Sequence, residues 1–235
     1  MFGVVYSWSA MTQAIGDETL GLTPEALLRV VHGEQDMRFY EGVRPGDTVE
    51  VEGFIQAIEE KSSGEILVVG SRSFRNGELV QETLSPLFFR ASKKDKKPGS
   101  ETPPLEEPQK PRILIREQKI DKDQTQRYAE ASGDQNPIHL YDEVAQMAGL
   151  PMRIVHGLCT MAFTSKIMID ELCGGDPRRL KRLAVRFSKP VFPEQTLRTE
   201  VWEEGEKEGW KTYGYETYNP EGITVIKNAV VEILP

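Results

Sequence analysis

Two stretches of this chain repeat each other without a gap at an offset of 148 residues. Arg38-Phe39-Tyr40-Glu41-Gly42-Val43-Arg44-Pro45-Gly46-Asp47-Thr48 aligns with Arg186-Phe187-Ser188-Lys189-Pro190-Val191-Phe192-Pro193-Glu194-Gln195-Thr196, and Arg, Phe, Val, Pro and Thr coincide. Self-similarity at a fixed offset marks a unit built more than once, so the chain is read as two versions of one architecture. Residues 92–112, SKKDKKPGSETPPLEEPQKPR, separate the copies. Apart from Leu105 they hold nothing apolar and they concentrate Lys, Glu and Pro, a composition that cannot build a core and reads as a linker. The expected division is therefore 1–91, a linker over 92–112, and 113–235.

Each copy is followed by the same strand pattern. In the first, strands are expected from Thr48 to Glu59, from Glu65 to Arg75 and on to Phe89, with Asn76-Gly77 as the hairpin signal. In the second they run from Thr196 to Glu203, Trp210 to Tyr218 and Ile223 to Leu234. Each half also holds one long helix. Leu158, Met161, Ala162, Ser165, Met168, Ile169 and Leu172 keep the i, i+3, i+4, i+7 rhythm until Gly174-Gly175, and Val4, Trp8, Met11 and Ile15 keep it before Gly16. The expected fold class is α+β, with two antiparallel sheets each wrapped around a long helix.

The halves are unequal. From Pro111 there are 75 residues before Arg186, but only 37 precede Arg38, so the first copy is short by about forty residues and begins at its helix. Either the recorded start lies downstream of the true one or oligomerisation makes up a missing strand. A short first copy would leave Val4, Trp8 and Met11 as an apolar patch, exposed or covered by a partner.

The extra residues of the second copy carry the chemistry. In Ser132-Gly133-Asp134-Gln135-Asn136-Pro137-Ile138-His139, Gly133 permits a helix-ending backbone and Pro137 disfavours helix at Asn136. A carboxylate, an amide and an imidazole are thus delivered from one constrained turn. Asp123 is the expected N-cap of a helix over Gln124 to Ser132, and Asp142 of one over Glu143 to Ala148. Downstream, Val155-His156-Gly157-Leu158 opens the long helix, where unpaired N–H groups favour an anion and Gly157 has no side chain to keep a carbonyl away. Gly157 is a candidate oxyanion donor, and His156 pocket lining. Cys159 lies in the apolar stripe and is read as packing rather than as a nucleophile. Glu34, in His32-Gly33-Glu34-Gln35, is read as structural support.

Lys plus Arg number 29 against 37 Asp plus Glu, a formal charge of −8, which excludes a phosphate-neutralising nucleic-acid surface. Two cysteines make no disulfide framework and no metal-ligand spacing occurs. No apolar run approaches the ~20 residues of a membrane span, and the start lacks a secretory signal. The C-terminal Ile233-Leu234-Pro235 is not a peroxisomal Ser-Lys-Leu signal, so the default compartment is the cytoplasm, with the peroxisome not excluded.

At Tyr128, Ser132 to His139, His156-Gly157-Leu158-Cys159-Thr160, Arg186 to Val191 and His32 to Gln35 the chain resembles the MaoC-type (R)-specific enoyl-CoA hydratases, hydratase 2. Within them it is most similar to the subgroup that forms the hydratase domain of the type 2 peroxisomal multifunctional enzymes. The resemblance covers essentially the whole chain. It implies a double hot-dog in which only the C-terminal half keeps the acid/base residues, and a reversible addition of water to a trans-2-enoyl-CoA giving the (R)-3-hydroxyacyl-CoA. The family's catalytic pair falls on Asp134 and His139; for that reaction the Gly157 N–H, read above as an oxyanion donor, would stabilise the enolate, an effect of ~3 kcal/mol. Asn136, Ile138, Val155, His156 and Leu158 become the expected substrate-binding residues, with Arg186 and Lys189 as candidate contacts to CoA phosphates. No cofactor or metal is expected, the CoA thioester being the substrate, and the expected assembly is a homodimer. The alternatives are dehydration of a 3-hydroxyacyl group on acyl carrier protein, a hot-dog thioesterase, and a non-catalytic acyl-binding protein.

Overall fold

The computed structural model describes residues 3–22, 30–90 and 110–235. It falls into two compact units, one of Tyr6–Lys110 and one of Pro111–Pro235 joined by residues 1–5. Most of the expected linker lies outside the described residues, and Arg112 already belongs to a strand.

The N-terminal unit holds α1 (Gly3–Ile15) from Tyr6 onward and continues through β1 (Val30–His32), β2 (Glu34–Phe39), β3 (Glu50–Lys61), β4 (Gly64–Arg75) and β5 (Glu78–Arg90). The strands are antiparallel in the order β3-β4-β5-β2, with β1 also on β5. Asn76 and Gly77 take φ of 53° and 80°, both in the left-handed region, which is what a two-residue hairpin turn between β4 and β5 demands. Helix α1 lies close on this sheet, since a Cβ on Gly53 would come within 2.4 Å of the Ala10 carbonyl oxygen.

The expected exposed patch on α1 is overturned. Met11 is 4% exposed and packs with Leu67, Val69 and Phe89 of the unit's own strands. Val4 is buried as well, and of the three only Trp8, at 44%, faces solvent. An apolar stripe beside an apolar strand face closes on it because burial returns about 25 cal/mol per Å².

The C-terminal unit contains β6 (Arg112–Lys119), α2 (Gln124–Ser132), α3 (Asp142–Met147), α4 (Gly157–Glu171), β7 (Leu180–Phe187), β8 (Thr196–Lys207), β9 (Trp210–Tyr218) and β10 (Thr224–Ile233). Its antiparallel order is β7-β10-β9-β8-β6. Strands β7, β8, β9 and β10 therefore repeat the layout of β2, β3, β4 and β5. Among the described residues, β6, α2 and α3 have no counterpart in the N-terminal unit. Ile120, Val155, Cys159, Val191, Leu197 and Val225 form a buried cluster that Tyr128 and Phe163 flank. No helix among the described residues is long and apolar enough to cross a membrane.

Two helix starts differ from expectation. Asp123 makes no side-chain cap and instead lies 3.4 Å from Arg127, which Asp121 also holds at 2.7 Å. Asp142 is the first residue of α3 rather than its cap, a place taken by Tyr141. Asp142 instead accepts from the Arg153 N–H and side chain, and Asp123 is drawn to the exposed Arg127 as an ion pair.

Candidate active site

Helix α2 ends at Gly133, whose φ of 79° is the left-handed geometry that closes a helix. The chain then makes a short, internally bonded turn. The Asn136 N–H donates to Asp134 Oδ1 at 3.1 Å, and Asn136 Oδ1 accepts from the Ile138 N–H at 3.3 Å as cap of a single 3₁₀ turn, Pro137–His139. Pro137 sits first in that turn, where its missing N–H costs nothing.

This turn puts Asp134 and His139 together with His156, the residue before α4. A carboxylate oxygen of Asp134 and a ring nitrogen from each histidine all lie within 4.8 Å of one another. The two imidazoles stack at 3.9 Å between centroids, and the Tyr128 ring lies tilted 4.7 Å from His156.

The partners of the rings fix their tautomers, because a carbonyl oxygen only accepts. His139 Nδ1 donates to the Ile154 carbonyl at 2.9 Å, so in the neutral ring Nε2 carries the lone pair. His156 Nε2 donates to the Asp134 backbone carbonyl at 3.1 Å, leaving Nδ1 as the acceptor, buried and without a partner. Burial pushes the His139 pKa down, against the opposing pull of the Ile154 carbonyl and Asp134. His156 is lowered further, to about 4, by burial and by the neighbouring His139. Both rings are thus neutral near pH 7. Each ring has one nitrogen committed to a carbonyl and one with a lone pair, so beside the Asp134 carboxylate the rings can take up and release protons.

The other expected residues divide. Gly157 opens α4, whose N-terminus has no side-chain cap, and a Cβ there would meet the Phe187 ring at 3.3 Å. Its lack of a side chain thus serves packing as well as any ligand. Ile138 is half-buried within the turn after α2 and Asn136 is exposed. Val155 belongs to the core cluster, its N–H bonded to the Val191 carbonyl at 2.8 Å, and Leu158 is also buried. Arg186 is exposed on β7 and Lys189 is exposed just beyond it. Glu34 is half-buried on β2 of the other unit. The Cys159 thiol is pushed up to about 12 by burial, in keeping with a packing role.

Three features escaped the sequence reading: the Ile154 carbonyl that orients His139, the stacking of His156 on the same ring, and the use of Asp142 by Arg153. Only the His-before-helix pattern at 156 and 157 hinted at any of them.

The MaoC like domain description matches residues 104–222, and a FAS1-like dehydratase domain region matches residues 1–83. Peroxisomal multifunctional enzyme type 2 of Mus musculus is 31% identical over 100% of this chain and 31% of its own length. The peroxisomal enoyl-CoA hydratase 2 of Arabidopsis thaliana is 29% identical over 87% of this chain and 69% of its own. The chain spans about a third of the mouse and Drosophila melanogaster multifunctional enzymes it matches. In three dimensions a MaoC-like dehydratase from Phytophthora capsici superposes with a TM-score of 0.77 at 26% identity, covering 91% of this chain and 74% of that one. A two-layer repeat of helix and curled antiparallel sheet, an Asp/Asn/Pro/His turn in its second copy and a family match across half the sequence have one common explanation: the chain belongs to the MaoC-like dehydratase family and has its hot-dog fold.

Proposed function

We propose that this protein catalyses the reversible hydration of trans-2-enoyl-CoA to (R)-3-hydroxyacyl-CoA, with Asp134 and His139 as the acid–base pair. The reading is carried by one observation: the carboxylate of Asp134 converges with a His139 ring whose Nδ1 is anchored on the Ile154 carbonyl, which turns a lone pair at Nε2 to the chemistry.

A water held between Asp134 and His139 loses a proton to the pair as its oxygen bonds to C3. The electrons of the C2–C3 double bond move toward the thioester, and an enolate forms. One proton is returned from the pair to C2 on the same face, so that the elements of one water are added and no cofactor is consumed. The Gly157 N–H at the uncapped start of α4 stabilises the enolate oxygen, and Asn136 holds the turn that presents Asp134. Exposed Arg186 and Lys189 are the candidates for the CoA phosphates.

Run in reverse, the same residues dehydrate a 3-hydroxyacyl thioester, and the name of one relative, 3-hydroxyacyl-thioester dehydratase Y of Mycobacterium tuberculosis, 34% identical over 76% of this chain, favours keeping that direction in the test. The experiment follows the loss of enoyl absorbance for a chain-length series of trans-2-enoyl-CoAs, paired with carrier-protein thioesters, and determines product chirality. Formation of the (R)-3-hydroxyacyl-CoA, abolished by Asp134→Asn, is the expected result. An (S) product, hydrolysis of the thioester, or equal rates for the parent and Asp134→Asn would overturn the proposal.

A further inference from the structure

The segment from Pro151 to His156 is laced to the catalytic turn and α3 by a ladder of hydrogen bonds. The Ile154 N–H donates to the Ile138 carbonyl at 3.3 Å, and the Ile154 carbonyl accepts from His139 Nδ1 at 2.9 Å. One residue earlier, Asp142 Oδ1 accepts both from the Arg153 N–H at 3.0 Å and from Arg153 Nη1 at 3.1 Å. Gln146 Nε2 reaches the Pro151 carbonyl at 3.3 Å, and Arg153 Nη2 the Lys122 carbonyl at 3.5 Å.

Arg153 is not a surface charge resting against a carboxylate. Its side chain is only 16% exposed, and its Nε is buried without a partner. Leaving a guanidinium donor buried and unpaired is unfavourable, so what keeps it there is the double contact with Asp142. That contact grips the backbone N–H as well as the side chain, and therefore fixes the main chain two peptide units before the carbonyl that orients His139.

We propose that the Asp142–Arg153 pair is a positioning device for His139: by fixing the Ile154 carbonyl it sets the tautomer and direction of the imidazole. The inference rests on the reading of Asp134 and His139 as the acid–base pair. Neither Asp142 nor Arg153 touches the reacting atoms. Both act through the peptide at 153 and 154. A carbonyl displaced by about 1 Å loses the geometry of its bond to Nδ1, and the ring is then free to turn or to shift its proton between nitrogens. A cation used to bind CoA phosphates would instead act on substrate affinity.

The test compares the parent with Arg153→Gln, Arg153→Lys and Asp142→Asn in steady-state hydration of crotonyl-CoA between about pH 5 and about pH 9, with thermal melting of each. The expected result is a kcat about 10- to 100-fold lower in Arg153→Gln and Asp142→Asn, with KM within about twofold. The acid limb of their profile should move down, because the Ile154 carbonyl that holds the His139 pKa up against burial is displaced, and Arg153→Lys should recover most of the rate. A lowered melting point with parental kcat and pH profile would overturn the proposal, as would a rise confined to KM. If Arg153→Gln does not fold, Asp142→Asn carries the test through the ¹⁵N chemical shifts of His139. These should change from a single Nδ1–H tautomer to a mixture, and an unchanged tautomer overturns the proposal. Asp134→Asn in the same series separates the two ideas. Full activity in that variant refutes the acid–base reading, while the His139 tautomer still reports on the clamp.

Discussion

The two units lay out corresponding strands in the same order, yet their inner faces differ in kind. In the C-terminal unit Leu183, Val231 and Tyr213 form one cross-strand row, and Ala229 and Tyr215 are paired in the next. In the N-terminal unit the rows are Met37, Thr83 and Ser71, then Phe39, Gln81 and Ser73, with Ser85 beside Val69. At the repeat offset Gln35 stands where Leu183 stands, and both are buried. The polar interior is partly knitted together, through Tyr6 to Gln81, Gln81 to Thr83 and Ser85 to Gln35. Ser71 Oγ and Gln35 Nε2 nevertheless remain buried with no partner. One backbone plan thus supports two interiors. The copy that carries the Asp134–His139 turn has an apolar buried cluster beside it, and its buried Thr199 and Thr217 bond each other. The copy without the turn has admitted groups that cost stability when dry.

The comparison is broken most directly by catalysis. Asp134→Asn or His139→Ala should each lower kcat by about 10² to 10⁴, with no further loss when combined, whereas Ser71→Ala in the other unit should leave it within about twofold. Comparable losses from both units, measured in the enoyl-CoA assay, would show that the chemistry is not confined to the C-terminal copy.

Next in size is the exchange of interiors. Leu183→Gln buries an amide in an apolar row and should destabilise the protein by about 3 kcal/mol, read from urea unfolding. Gln35→Leu removes an unpaired amide nitrogen but also strips Ser85 and His32 of their acceptor, and should cost no more than about 1 kcal/mol. Equal costs would mean that the two rows differ in name only.

A smaller effect comes from pH, and it belongs to the C-terminal unit. His156 titrates near 4, below the ordinary value of about 6.5, so the unfolded chain takes up a proton that the folded chain refuses. Stability should be intact above about pH 6.5, fall as pH drops towards about 4, and level off below it. Replacing His156 by Gln should flatten that slope, with His139, lowered in the same direction, accounting for what is left. The smallest expected effect is that of Ser71→Ala on stability, within about 0.5 kcal/mol and on the stabilising side, because it removes a hydroxyl that has no partner.

Much of this was legible in the residues. The offset repeat located both sheets, the 3.6-residue rhythm located α1 and α4, and Gly133 with Pro137 located the turn that presents Asp134 and His139. Other features were hidden for physical reasons. An N-cap assignment looks only at near neighbours, so it could not know that Arg153, eleven residues on, takes Asp142 with both its N–H and its side chain. The exposure assigned to Met11 failed because nothing in a helix sequence says which strands lie opposite it. His156 was read as pocket lining because ring stacking on His139 joins residues 17 positions apart through no local pattern.

The order of polar and apolar residues along the chain, by itself, determined that there are two units of curled antiparallel sheet with a helix, and that a carboxylate and an imidazole leave one rigid turn. These are matters of local periodicity and backbone preference, which act over a few residues. Only the tertiary structure decided which nitrogen of His139 bears the lone pair, that a second imidazole lies on it, and that Asp142 and Arg153 fasten the carbonyl behind it. Hydrogen-bond partners and burial are set by what packs alongside, and that is fixed only when distant segments meet.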